Sequence, residues 1–279
     1  MPVKIVTDSV ADLPPQLVRE LGITVIPLNV RFGEEVYRDG IDLTTEQFYD
    51  KLLNNRILPV TSVPSPGSFA EAYDKLAKET DEILVVTISS KLSGTYEVAV
   101  QSAGLMKRKC RVEVLDSKGG AMAEGFIAMK AARTANEGAT LDKVIDVAQK
   151  TIPRVEIRAA FDTLEYLRRG GRIGKAQALM GSMLNINPII TLKDGVVEPA
   201  GRTRSRAKAI ERLYNFATTY SSIEAMAVED GPNPQDGDFL VEKLNSKFSK
   251  TPIYRSKITP VISTHTGPGL LLIAIMGDK

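Results

Sequence analysis

Through the first half of the chain, short apolar runs rich in β-branched residues alternate with stretches whose apolar positions recur at helical spacing. Residues 3–7 (VKIVT) predict a strand. Asp12 and Pro14-Pro15 mark a helix start, Leu17, Val18 and Leu21 supply its inward stripe, and Gly22 ends it. Residues 23–30 (ITVIPLNV) predict a second strand. A polar hairpin around Gly33 and a helix over 42–54, opened by Asp42 or Thr44, come next. Ser65 as N-cap, with Pro66 in the first position, opens a helix to about Thr80. Residues 83–88 (ILVVTI) form an unbroken apolar run, the pattern of a strand covered on both faces. Ser93 then caps a helix to about Lys107, residues 112–115 return to strand, and 121–136 return to helix.

The second half is patterned differently. Residues 141–152 and 163–169 predict helices, and Gly170-Gly171 breaks the second. Residues 186–192 and 196–202 predict strands joined by Lys193-Asp194-Gly195, a hairpin signal. A helix over 206–220, a strand over 225–229, a helix over 237–248 and strands over 253–257, 261–264 and 269–276 complete the chain. The expected fold is α/β with two α/β domains. Residues 1–155 form a mostly parallel sheet with helices on both faces, and 156–279 a mixed or antiparallel α+β unit, with the boundary near 153–158.

Composition narrows the function classes. The 36 basic and 34 acidic residues leave a net charge of +2, too balanced to favour nucleic acid or a membrane surface. With no Trp and 6% aromatics, base-stacking platforms are not expected either. One histidine and one cysteine leave only carboxylates to build a metal site, so neither a metal nor a cofactor is expected. Cys110 has no partner for a disulfide. Its basic neighbours favour a thiolate, while the plainer reading is a lone thiol beside a strand. The chain enters a strand pattern within a few residues of Met1, which is not a signal-peptide layout. Its apolar stretch 269–276 is far shorter than the roughly 20 residues of a membrane helix. The expected compartment is the reducing cytoplasm.

Chemistry is expected in the polar loops that follow strand ends. Asp8 and Ser9 can orient a ligand loop, although an Asx or Ser turn accounts for most of that pattern. Thr61 and Ser62 offer adjacent hydroxyls before a proline-flanked turn, donors to an anion that bring no charge; an ordinary helix start uses the same residues. In 89–96 (SSKLSGTY), Ser93 as N-cap sets the amides of Gly94 and Thr95 beside its hydroxyl at the positive end of a helix. That is an anion site or a plain cap. His265 is the only histidine, so any imidazole chemistry is its own. Residues 164–174 (LEYLRRGGRIG) gather Arg168, Arg169 and Arg172 around two glycines, either a phosphate grip or a helix with a glycine cap. The chain holds neither a P-loop nor a dinucleotide-binding glycine motif.

Taken together, TDSVADLP (7–14), TSVPS (61–65), SSKLSGTY (89–96), LDS (115–117), LEYLRRGGRIG (164–174) and THTGPG (264–269) resemble the DegV family in order and approximate spacing. The resemblance implies a long-chain fatty acid such as palmitate, stearate or oleate, buried in or near the junction of the two domains. It implies a lipid carrier rather than a self-sufficient enzyme. Such a subunit presents the acyl carboxylate to a separate fatty acid kinase, and the acyl phosphate feeds phospholipid synthesis, with transient contact to the membrane. Carried over by residue, Thr61 and Ser93 bind the carboxylate directly, Ser62, Gly94 and Thr95 support them, and His265 is a nearby donor. Arg172 and Arg202 fall where family members show a basic face, expected to receive the kinase or its nucleotide phosphates. The sequence departs from the pattern at Val63, where Gln is common, in 121–123, where Ala replaces a common Ser, and at Asn187, where Lys is frequent. The first two bear on the pocket, the third on the basic face.

Under this reading the tail supplies affinity, at about 0.8 kcal/mol per buried CH₂. Neutral hydroxyls and helix amides match the carboxylate, and His265 takes a proton when the charge grows. The rivals come from other classes. A Ser93–His265 hydrolase lacks a Gly-x-Ser-x-Gly elbow and an assignable orienting carboxylate. A phosphate or nucleotide module would use GGRIG, and a purely structural protein would have an empty interior.

Overall fold

The computed structural model describes residues 2–54, 57–180 and 186–279. The chain begins β1 (Lys4–Asp8), α1 (Pro15–Leu21), β2 (Thr24–Ile26), β3 (Asn29–Phe32), β4 (Glu35–Arg38), α2 (Thr45–Asn54), β5 (Val60–Ser62) and α3 (Pro66–Leu76). It continues β6 (Glu82–Thr87), α4 (Thr95–Ala103), β7 (Arg111–Asp116), α5 (Met122–Asn136), α6 (Leu141–Thr151), β8 (Val155–Ala160) and α7 (Glu165–Arg169). It ends β9 (Asn187–Lys193), β10 (Val196–Thr203), α8 (Arg206–Ala217), β11 (Ser222–Asp230), α9 (Gln235–Lys247), β12 (Ile253–Lys257), α10 (Pro260–Thr266) and β13 (Leu271–Asp278).

Strand β6 is buried at every position after Glu82, as its unbroken apolar run requires. It sits inside a parallel sheet of order β2-β1-β6-β7. On one face Val3, Ile5, Leu84 and Val86 pack against Ile127 and Ala131 of α5 and Val144 of α6. On the other, Val6, Ile83 and Val85 meet Phe69 and Tyr73 of α3 and Ala99 of α4. Each large apolar side chain buried this way contributes about 1.5–3 kcal/mol.

The second sheet has the order β10-β9-β8-β13-β11-β12 and is antiparallel at every pairing except β11 with β12. Helices α8 and α9 cover one face through Ile210, Leu213, Leu240 and Leu244. The opposite face turns toward α5, whose Met122, Phe126 and Met129 join Ile157 and Leu272 in one core. Helix α5 is therefore shared by the two α/β domains, and it is apolar on both sides for that reason. A small antiparallel sheet, β4-β3-β5, lies in the first half. No helix among the described residues is long and apolar enough to cross a membrane.

Some local expectations are corrected. Residues 23–30 are not one strand: Pro27 has no N–H for a ladder, and the Leu28 N–H donates instead to Ser9 Oγ at 3.1 Å. Residues 60–62, expected in a loop, form the edge strand β5. Residues 261–264 look like a strand because they are β-branched, yet they lie in α10. Pro260 takes its first position, and the hydroxyls of Thr264 and Thr266 donate back to the carbonyls of Pro260 and Ile262. Gly94, not Ser93, is the N-cap residue of α4. Helix α2 is opened by Thr44, which exchanges bonds with Gln47 as a capping box, while Asp42 pairs with Arg38. The stripe of Leu17, Val18 and Leu21 is half-buried rather than buried, and Asp12 turns inward instead of capping α1.

Candidate functional site

An apolar cavity lies between the two domains. Strand alternation aims Ile157 and Ala159 of β8, Ile190 and Leu192 of β9, and Val197 of β10 at it, joined by Phe161, Leu270 and Leu272. The first half contributes Val10, Leu28, Ile88, Leu92 and the Gly120-Ala121 turn, and α10 contributes Val261 and Ile262. Its interior offers about 120 Å³ to the centre of a water-sized sphere. On that measure a tube as narrow as a polymethylene chain registers only a thread of volume. The polar side chains in the wall are Thr61, Ser93, Arg172, His265 and Thr266.

These polar groups converge from distant parts of the chain. Strand β5 pairs with β3, Thr61 opposite Val30, and holds the Thr61 hydroxyl 2.8 Å from His265 Nε2. His265 stands in the last turn of α10, which Gly267 ends at a φ of 74°. Its Nδ1 has no hydrogen-bond partner among the described residues. That nitrogen rests on Gly170, where a Cβ would sit only 2.1 Å away, so the second arm of the LRRGGR segment needs glycine to make room for the ring. Burial, and then the positive charge of Arg172, push the His265 pKa down to about 4, so the ring is neutral at pH 7. In the unliganded site a proton is therefore disfavoured, whereas the expected protonation of His265 belongs to a site whose ligand has gained charge.

The Ser93 hydroxyl lies 2.9 Å from Thr95 Oγ1 and accepts from the Thr95 amide at 3.3 Å. Ser93, just ahead of the cap, is thus linked to Thr95, the first residue of α4, with Ser93 on the cavity wall and Thr95 fully buried. Gly94 is exposed at the cap, with Val63 as its nearest neighbour. Ser62, the residue after Thr61 in β5, is exposed and outside the cavity lining, as alternation along a strand requires. Arg172 donates from Nε to Leu92 O at 3.0 Å and from Nη1 to Gly170 O at 2.6 Å. Together with Thr61 and His265 it forms the partition between the cavity and a surface recess that also contains Tyr166 and Arg169. Arg202 is elsewhere, in a recess with Arg204 and Lys208, so the two arginines do not share a pocket. Asn187 Nδ2 donates to Phe161 O and to Asp162 Oδ1, each at 3.3 Å.

Ser93 and His265 are not hydrogen-bonded to each other in this arrangement, and no carboxylate orients the ring among the described residues. That geometry counts against a serine hydrolase. Burial and the nearby Asp81 and Glu82 push the Cys110 thiol up, in line with a lone thiol beside a strand.

A second polar cluster, behind the cavity wall, escaped the sequence reading. Asp8 accepts from the amides of Val10 and Ile88, each at 2.9 Å, which is the expected Asx turn plus a bond to β6's end. Asp12 Oδ1 accepts from Thr259 N–H at 3.1 Å, Asp39 from Ser9 Oγ at 2.7 Å, Glu124 from Thr7 Oγ1 at 2.9 Å and Glu229 from Met122 N–H at 3.1 Å. All are buried. Desolvation raises Asp8 to about 6 and Asp39 to about 7, and it raises Glu124. Asp12 and Glu229 are raised as well, again chiefly by burial. A sequence signal existed: Glu124 and Glu229 interrupt segments whose neighbours are almost wholly apolar.

Two α/β domains with an apolar chamber between them and hydroxyls and an imidazole in its wall define the class of this protein. The family model described as "Uncharacterised protein, DegV family" matches residues 2–278, and the chain belongs to that family. A DegV domain-containing protein of Caldanaerobacter subterraneus subsp. tengcongensis is 36% identical over 95% of each chain. Protein DegV of Bacillus subtilis is 34% identical over 97% of this chain and 98% of its own. Among solved structures, a fatty-acid-binding DegV family protein from Thermus thermophilus superposes with a TM-score of 0.90 at 32% identity, covering 99% of this chain and 100% of its own. DegV from Bacillus subtilis, a fatty acid binding protein, gives 0.90 at 31% over 99% of both chains. A stearic-acid-binding protein from Eubacterium ventriosum gives 0.89 at 27% over 98% of both.

Proposed function

We propose that this protein carries one long-chain fatty acid, its tail in the junction cavity and its carboxylate at the hydroxyls of Thr61 and Ser93, with His265 holding the Thr61 hydroxyl in place. The observation that carries this reading is an almost wholly apolar chamber with Thr61, Arg172 and His265 at the partition it shares with the surface recess and Ser93 also in its wall. The named fatty acid binders among its structural relatives support it. Tail burial provides about 0.8 kcal/mol per CH₂. The head must then find donors, because an unpaired buried carboxylate is prohibitive. Unsatisfied buried acceptors are tolerated better than unsatisfied N–H groups, so the orphan His265 Nδ1 is the bare nitrogen and Nε2–H donates to Thr61. Thr61 then has its own hydrogen free for a ligand. Thr95 donating to Ser93 leaves the Ser93 hydrogen free in the same way. Arg172 adds positive charge at the partition without entering a clamp, since its guanidinium is held by the carbonyls of Leu92 and Gly170.

The finer reading is that palmitate, stearate or oleate is presented through the recess beside Arg169 and Arg172 to a separate kinase that phosphorylates the carboxylate. Thr61 and Ser93 come from residues 1–155, His265 and Arg172 from 156–279, so closing the two domains assembles the head site. The test is titration of lipid-stripped protein with oleate and palmitate, beside native mass spectrometry of what the purified protein contains. One tightly held fatty acid per chain is the expected result; no saturable binding of either acid ends the proposal.

A further inference from the structure

The cavity has two partitions of opposite character. At the polar one, Thr61, Arg172 and His265 separate it from the surface recess. At the other, Ile157 and Leu192 line both the cavity and a larger cleft between the domains, which offers about 920 Å³ on the same measure. Ala123, Ile127 and Val155 line that cleft on its apolar side.

The sheet itself opens at this second partition. Strands β8 and β9 pair only through Ala159 with Ile190 and Ala160 with Ile189. Extending that register sets Ile157 opposite Leu192, but the ladder has ended there. Side-chain bonds replace it: Arg158 Nη1 donates to Thr191 Oγ1 at 2.6 Å, and Thr191 Oγ1 donates to Ile157 O at 2.9 Å. Without backbone bonds between them, Ile157 and Leu192 can part by rotamer changes alone, and Leu192 is only partly buried.

We propose that Ile157 and Leu192 form a gate at the methyl end of the acyl chamber, which sets the chain length that fits closed and lets longer chains run on into the cleft. This rests on the fatty acid reading and assigns it a direction, head at Thr61 and Ser93 and tail toward β8 and β9. Methylenes emerging past the gate would be covered by Ala123, Ile127 and Val155, so affinity rises by up to about fourfold per covered CH₂.

The test is competition binding on lipid-free protein with myristate, palmitate, stearate, arachidate and behenate. Leu192→Ala and Ile157→Ala are expected to raise the arachidate-to-palmitate and behenate-to-palmitate affinity ratios at least tenfold. Leu192→Trp, which fills the gate, is expected to move preference toward myristate. Leu76→Ala removes the same atoms from α3, outside both the cavity and the cleft, and is expected to leave the ratios within about twofold. Gate variants that keep palmitate binding with unchanged ratios, or ratios moved equally by Leu76→Ala, overturn the gate alone. A wild-type protein that binds none of the five acids overturns the carrier reading and the gate with it.

Discussion

Two buried polar clusters stand on either side of the cavity wall, and they manage burial in opposite ways. The cluster facing the cavity is made of neutral hydroxyls and a neutral imidazole, with hydrogens and a ring nitrogen left unused. The cluster behind the wall is made of the carboxyls of Asp8, Asp12, Asp39, Glu124 and Glu229, whose bonds go to backbone amides and hydroxyls of this chain. It ties elements together: Asp12 reaches the residue before α10, and Glu229 reaches the start of α5. Burial pushes both sets toward the neutral form: the carboxyls keep their protons to higher pH than usual, and the histidine gives its proton up at lower pH than usual. Neither cluster is fully satisfied among the described residues: His265 Nδ1 has no partner in the first, and Asp12 Oδ2, Asp39 Oδ1, Glu124 Oε2 and Glu229 Oε1 have none in the second. What separates them is the type of group, hydroxyls and an imidazole against carboxyls.

The pH signs follow from that contrast. Asp39 and Asp8 are raised, so their part of the stability is complete below the ordinary value of 3.8 and is lost as pH rises toward about 7 and 6. His265 is depressed, so its part is complete above 6.5 and is lost as pH falls toward about 4.

The sharpest break of the comparison is Glu229→Ala, which leaves the buried Met122 N–H without its acceptor and a void in the cluster, and is expected to remove about 3 kcal/mol of stability, read by urea unfolding. Next, Asp39→Asn abolishes one raised carboxyl. It should gain on the wild type by an amount on the order of a few kcal/mol between pH 4 and 7.5, and a difference independent of pH would contradict the assignment. On the cavity side, Thr61→Ala and Ser93→Ala should each weaken oleate about 10- to 100-fold while leaving unfolding within about 1 kcal/mol, because they remove donors to a charge rather than core volume. Gly170→Ala drives a methyl into the His265 ring and is expected to lower oleate affinity as much as His265→Ala does, about tenfold; equal binding to wild type would show that the ring position is irrelevant. The smallest effect is spectroscopic. The lone histidine should titrate near pH 4 by NMR in lipid-free protein, and its midpoint should rise when oleate is bound.

Much of the fold was legible along the chain. The apolar run of β6, the Ser65-Pro66 cap of α3, the hairpin turn at Lys193-Asp194-Gly195 and the Gly22 stop of α1 are local signals, and the structure has each of them where the pattern put it. Where local signals conflicted, the reading went wrong. Residues 261–264 have strand composition and a helix-opening proline, and the proline with hydroxyl back-bonding prevailed. Residues 60–62 are too short and polar to announce a strand, and β3 supplies the partner that makes them one. Thr61, Ser93 and His265 were candidates from their loop chemistry and family resemblance and line the cavity, whereas Ser62 and Gly94 are exposed and outside its lining, Ser62 because strand alternation turns it away from Thr61's side.

By itself, the sequence determined the alternation of strands and helices, the neutral head groups and the lack of charge bias. These depend on residue type and near neighbours, and such forces act within a few residues. Only tertiary structure decided that Thr61 meets His265 across 204 residues, that five carboxyls share a dry space, and that Ile157 and Leu192 stand where two strands part. Desolvation and cavity shape belong to no segment of the chain; they exist once distant segments exclude water together.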